Sequence, residues 1–205
     1  MTVQLQANKA FDAQDIERLV QDHQVHRDVY TSQDVYALEM QHLFANVWVF
    51  VGHESQTPKH GDYFTTQIGS QPVIQVRHSD GGIKVLHNRC PHKGTKIAID
   101  RHGNTGTFFR CPYHAWSFET DGRLKAVPLE SGYSNTSFET TENANGIKPV
   151  GAVHNHRGFV FARLADSGIS FDDFFGDSLS SIDNMVDRSP EGRLEVAGPP
   201  LRYMH

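Results

Sequence analysis

Only two of the 205 residues are cysteine, which excludes a scaffold built on disulfides. Long apolar runs are missing as well. No window approaches the roughly 18 consecutive apolar residues of a membrane-spanning helix, and the mean hydropathy of -0.49 fits a soluble globular protein. Residues 1–17 lack the basic-then-apolar order of a secretory signal, so a cytoplasmic protein with no membrane partner is expected. Basic runs are absent too. With 19 Lys and Arg against 24 Asp and Glu, the net charge of -5 gives no electrostatic reason to expect a nucleic-acid partner. No internal repeat is present.

What remains is ordered in three stretches. Residues 1–45 read as a helical segment. Residues 12–22 form a polar helix candidate, and a second begins at Thr31 as N-cap with Asp34 three residues on. Tyr36, Met40, Leu43 and Val47 then recur at helical spacing, an apolar stripe suited to packing on a sheet. Residues 46–165 read as an antiparallel β domain of short strands and turns. The run Pro72-Val73-Ile74-Gln75-Val76-Arg77, the turn Ser79-Asp80-Gly81-Gly82 and the run Ile83-Lys84-Val85-Leu86 predict a hairpin. A second turn, Thr120-Asp121-Gly122, separates residues 116–118 from 124–127, and another strand is expected over 158–164. Residues 134–145 read as a surface excursion. From 166 to 205 the pattern changes to short helical pieces over 171–175 and 179–186, as if a second domain begins and is incomplete. The fold class expected is mainly β, with N-terminal helices and the start of an α+β domain.

Thirteen histidines are many for this length, and spacing decides which of them matter. Cys90-Pro91-His92-Lys93-Gly94 and Cys111-Pro112-Tyr113-His114 each place a His two or three residues after a Cys. Residues 96–99 and 107–110 are expected to pair as strands and bring the two loops side by side. Two thiolates and two imidazoles bind either zinc or a Rieske 2Fe–2S cluster. Zinc fingers usually group Cys with Cys and His with His, whereas each loop here supplies one of each, which favours the cluster. His₂ in place of Cys₂ on one iron raises the potential to about -150 to +300 mV. Two ferric ions, two sulfides and two thiolates sum to zero charge, so one added electron creates a single negative charge. Cys90, His92, Cys111 and His114 are thus the candidate metal and cofactor ligands.

These residues resemble the Rieske domain of the α subunit of bacterial aromatic-ring-hydroxylating dioxygenases. The likeness takes in Asn88-Arg89-Cys90-Pro91-His92-Lys93-Gly94 and Cys111-Pro112-Tyr113-His114-Ala115-Trp116-Ser117-Phe118. It extends to Gly61-Asp62-Tyr63 and Gly158-Phe159-Val160-Phe161, and covers about residues 25–188. The segment Val25-His26-Arg27-Asp28-Val29-Tyr30-Thr31, with His53-Glu54-Ser55, is closest to the benzoate-type branch. Lys93 stands where the family usually has arginine, and Ala115 where it commonly has glycine. The additional cysteine pair of respiratory Rieske proteins is absent.

The resemblance implies a reductase or ferredoxin as electron donor, other α subunits in a trimer, a β subunit and an aromatic substrate. It also implies a mononuclear non-haem Fe(II) on a 2-His-1-carboxylate triad in a following catalytic domain. That signature is absent from these 205 residues. His87 and His92 have nearly the spacing, but Lys84 precedes them; His154 and His156 read as surface residues in a turn. Catalytic residues are therefore expected beyond His205, and these 205 residues are expected to relay electrons without hydroxylating anything. Rival readings are a stand-alone Rieske carrier, a Rieske monooxygenase or demethylase, and a zinc-stabilised binding module. Trp116 and Tyr113 either shape a docking face or pack beneath the loops. Lys93 and Arg110 either favour electron arrival or are merely solvated. Trp48 is expected in the core.

Overall fold

The computed structural model describes residues 13–137 and 145–198. At the N-terminus, α1 (Ala13–Leu19) leads into the two-residue strands β1 (Val20–Gln21) and β2 (Gln24–Val25), so the helix expected to reach residue 22 stops earlier. Helices α2 (Asp28–Thr31) and α3 (Gln33–Leu38) follow. Thr31 closes α2 and is not the N-cap of the next helix. Ser32 is: its extended backbone breaks the helix, and its Oγ accepts from the Val35 N–H at 3.4 Å.

The apolar stripe also fails in part. Tyr36 and Leu43 are 53% and 47% exposed, while Val35 is buried. Residues Glu39–Leu43 form a wider π-type turn in which the Phe44 N–H donates to the Glu39 carbonyl. That extra residue rotates the face the helix presents, so a 3.6-residue count misses it. Met40 and Phe44 are instead the side chains set against Gly69.

Three antiparallel sheets carry the rest. One has the order β6–β5–β4–β7, built from β4 (Asp62–Ile68), β5 (Gln71–Arg77), β6 (Ile83–His87) and β7 (His102–Asn104). The predicted β5–β6 hairpin forms with Arg77 opposite Ile83. A second sheet, β11–β12–β3, joins β3 (Val49–His53), β11 (Ala152–His156) and β12 (Phe159–Arg163). The third, β10–β9–β8, joins β8 (Phe108–Arg110), β9 (Ser117–Glu119) and β10 (Leu124–Ala126), with Phe118 opposite Leu124 across the predicted turn.

Strand β5 lies between two cores, which is why it reads as a nearly continuous apolar run. Val73 packs with Val51, Ile68, Val85, Val160 and Ala162 toward the second sheet. Ile74 and Val76 point the opposite way, into a core shared with Phe109, Trp116, Phe118 and Leu124 of the third sheet. Both candidate ligand cysteines belong to this second core.

After Asp166, helices α4 (Phe171–Phe175) and α5 (Leu179–Asp187) form where helical pieces were expected. Ser170 caps α4 by accepting from the Asp173 N–H at 3.1 Å. Phe171 packs with Trp48 and Phe161, and Phe175, Leu179 and Ile182 join them on the outer face of the second sheet. His154 and His156 are not in a turn. They share one face of strand β11, where His154 stacks on Phe171 at 3.8 Å and His156 pairs with Asp183 at 2.8 Å. Their alternation with exposed Val153 and Asn155 is a strand period. Of the expected surface excursion, residues 138–144 lie outside the described residues, and 134–137 are exposed.

Candidate metal centre

The two ligand loops share one backbone form. In the first, the Cys90 N–H donates to the Thr95 carbonyl at 2.8 Å and the Gly94 N–H donates to the Cys90 carbonyl at 2.8 Å. In the second, the Cys111 N–H donates to the Trp116 carbonyl at 2.7 Å and the Ala115 N–H to the Cys111 carbonyl at 3.0 Å. Each loop therefore closes five residues after its cysteine and needs a left-handed residue four after it. Gly94 supplies φ +72° and Ala115 φ +58°. Glycine meets this demand at little cost, whereas alanine is strained there. The common offset of four from each cysteine was the sequence signal for this equivalence.

The strand pairing expected to bring the loops together does not form. Residues 96–99 are irregular, β7 pairs with β4, and β8 pairs with β9, so the second loop is the tip of the β8–β9 hairpin. The first loop is held by a residue to which sequence reasoning assigned no role. Asn88 is buried, and its Oδ1 accepts from the Ile97 and Ala98 N–H groups at 2.9 and 3.0 Å. Its Nδ2 donates to the Ala98 carbonyl at 2.7 Å. One amide thus satisfies three backbone groups that a strand partner would otherwise have met.

The four candidate ligands divide by depth. Cys90 and Cys111 are 2% and 3% exposed and lie within hydrogen-bond reach of each other, whereas His92 is half-buried and His114 exposed. The two imidazole centroids are 4.8 Å apart. Among the described residues no three His, Cys, Asp or Glu side chains are grouped as ligands of one ion. A buried thiol pair and a more exposed imidazole pair match the two sulfur and two nitrogen donors of a Rieske-type cluster. Burial pushes the metal-free Cys90 thiol up to about 11, opposed by hydrogen bonds from the His92 and Lys93 N–H groups to its sulfur. Those donors offset negative charge on a bound thiolate. His92 is held below the usual imidazole range, by burial first and by neighbouring His114 and Lys93, which favours the neutral form that a metal ligand takes. The donor set and its surroundings fit a 2Fe–2S cluster.

Each histidine has its own aromatic neighbour. Trp116, 1% exposed, stacks parallel on His92 with centroids 4.7 Å apart. Tyr113, 60% exposed, lies over His114 at 3.8 Å. Trp116 therefore packs beneath the loops, and Tyr113 is part of the surface.

A family profile described as a Rieske [2Fe-2S] domain matches residues 47–140. This chain contains a Rieske domain. Over 181 residues it is 36% identical to the toluate 1,2-dioxygenase subunit alpha of Pseudomonas putida, covering 87% of this chain and 39% of that protein. It is 39% identical over 165 residues to the glycine betaine monooxygenase oxygenase subunit of Chromohalobacter salexigens, covering 80% and 35%. The crystal structure of naphthalene 1,2-dioxygenase from Rhodococcus sp. bound to indole superposes with a TM-score of 0.79 at 30% identity, covering 92% of this chain and 41% of that one. The chain thus spans about two-fifths of the length of these relatives. The expected fold class, a mainly β Rieske fold with few helices, agrees with this likeness.

Proposed function

We infer that Cys90, His92, Cys111 and His114 hold the 2Fe–2S cluster and that the chain is the electron-relay portion of a ring-hydroxylating dioxygenase α subunit. The observation that carries this reading is the pair of equivalent loops, each offering a buried sulfur and a more exposed imidazole. When bound, the cluster accepts and releases one electron. Around it the protein excludes water from the sulfur side through Trp116, Phe109 and Ile97, and donates backbone N–H groups to the Cys90 sulfur. The imidazole edge, nearest solvent, is the side from which electrons arrive and leave.

In this reading a reductase or ferredoxin donates the electron. A mononuclear non-haem Fe(II) in sequence beyond His205, commonly in a neighbouring α subunit of a trimer, receives it. Residues 46–165 form the Rieske domain and 166–205 open the catalytic one. The substrate is an aromatic compound, with a β subunit as a further partner. Among the described residues no helix is long and apolar enough to cross a membrane, and a cytoplasmic location follows from this reading. A second reading, monooxygenation, is carried by the similarity to the glycine betaine enzyme. Incorporation of one or two ¹⁸O atoms into product by the complete protein separates the two.

The test is metal analysis with an absorption spectrum. Two irons and two acid-labile sulfides per chain, with colour bleached by dithionite, support the assignment. A colourless zinc-loaded protein refutes it. Loss of the chromophore in Cys111→Ser and in His114→Ala assigns the ligands individually.

A further inference from the structure

Charge is distributed unevenly around the ligand loops. Residues 88–115 contain Arg89, Lys93, Lys96, Arg101 and Arg110 against Asp100 alone, a net of +4. The whole chain is -5, so the remaining residues carry -9. Three of these cations stand next in sequence to three of the four candidate ligands: Arg89 before Cys90, Lys93 after His92 and Arg110 before Cys111. All five are exposed.

An exposed isoleucine lies among them. Ile99, 72% exposed, is shared by two adjoining grooves. One, of about 590 Å³, is lined by Lys96, Arg101 and Phe64; the other, of about 460 Å³, by Asp100, Phe108, Arg110 and Pro112 of the second ligand loop. Lys96 and Arg101 therefore flank Ile99 on one side and Arg110 on the other.

We propose that this cationic collar around Ile99 is the docking surface for an acidic one-electron donor protein. The proposal rests on the electron-relay reading. An acidic partner is repelled by the net charge of -9 carried by the remaining residues and attracted by the net +4 of residues 88–115, so the field orients the encounter as well as hastening it. A neutral or basic donor gains nothing from this layout. The step is a single electron transfer: the donor's metal loses one electron, the cluster gains it, and no bond forms or breaks.

The test uses the full 205-residue chain with its cluster assembled and two inorganic probes. The dithionite-reduced chain, freed of dithionite, is mixed with ferricyanide, a trianion, or hexaamminecobalt(III), a trication. Ferricyanide should react fastest at low salt and slow by about tenfold on going to roughly 0.5 M salt, while the cobalt complex speeds up. The Lys96→Glu/Arg101→Glu double variant, which leaves the residues beside the ligands intact, should flatten or invert both trends. Arg18→Glu, far along the chain on α1, should not. An acidic plant-type 2Fe–2S ferredoxin, whose potential near -400 mV makes transfer to a Rieske cluster downhill, should reduce the double variant several-fold more slowly than the parent. If ferricyanide instead accelerates with salt, as a net charge of -5 alone dictates, or if neither probe nor ferredoxin responds to the charge reversal, the docking surface is refuted. A chain that takes up no dithionite-bleachable chromophore refutes the electron-relay reading itself.

Discussion

Replacing Asn88 with alanine removes one side chain and leaves three backbone groups without partners. The Ile97 and Ala98 N–H groups and the Ala98 carbonyl all lie in a segment whose side chains are buried, so water does not readily replace the amide. Each buried group left unpaired costs about 1–3 kcal/mol. Since the segment relaxes somewhat, a total loss of about 3–5 kcal/mol is expected for Asn88→Ala, large against the usual stability of a domain. Asn88→Asp keeps an acceptor for both N–H groups but sets a carboxylate oxygen against the Ala98 carbonyl, and should fall between the alanine variant and the parent. Urea denaturation of the metal-free chain measures both. Iron uptake should decline in the same order, because this segment closes the loop that carries Cys90 and His92. A loss below about 1 kcal/mol for Asn88→Ala, or Asn88→Asp worse than alanine, would refute the bracing role.

Other outcomes follow from the same geometry. Ala115→Gly relieves a left-handed alanine costing about 1–2 kcal/mol, partly offset by about 0.5–1 kcal/mol of glycine entropy. A gain of about 0.5–1 kcal/mol in denaturation midpoint measurements is expected, and a loss contradicts the strain. Trp116→Ala should cost about 3–5 kcal/mol as a cavity in the core. Trp116→Phe, which keeps a ring against His92, should retain more stability and a parent-like electron paramagnetic resonance spectrum of the reduced cluster. Burial lowers the imidazole pKa of His53, His87 and His154 below 6.5 in the folded chain. Their contribution is complete above the unfolded value and is lost as pH falls below it, by up to about 1.4 kcal/mol per pH unit for each histidine. Thermal denaturation from pH 7.5 to 5.5 should therefore show falling stability, and His53→Gln should reduce that slope.

Part of this molecule was legible because the signal is local. The β5–β6 hairpin, the Thr120–Gly122 turn and helices α4 and α5 all follow from periodicity and turn residues within a dozen positions. Trp48 lies in the core, as expected. Where reading failed, the cause was non-local or altered the period. The π-type turn after Leu38 rotated the helical face. Strand β11 was hidden because its inward residues are His154 and His156, polar by type yet packed on Phe171 from a helix well downstream. Residues 96–99 look like a strand, but the Asn88 amide satisfies their backbone first.

From its order of residues alone, the chain specified the candidate donor set, since a Cys and a His at short spacing recur in each of two loops before any folding. Depth and orientation came only with the tertiary structure. Sulfur lies inward and imidazole outward because both loops close by the same backbone bonds over a shared core. That arrangement arises from contacts between strands far apart in sequence, which no local pattern encodes.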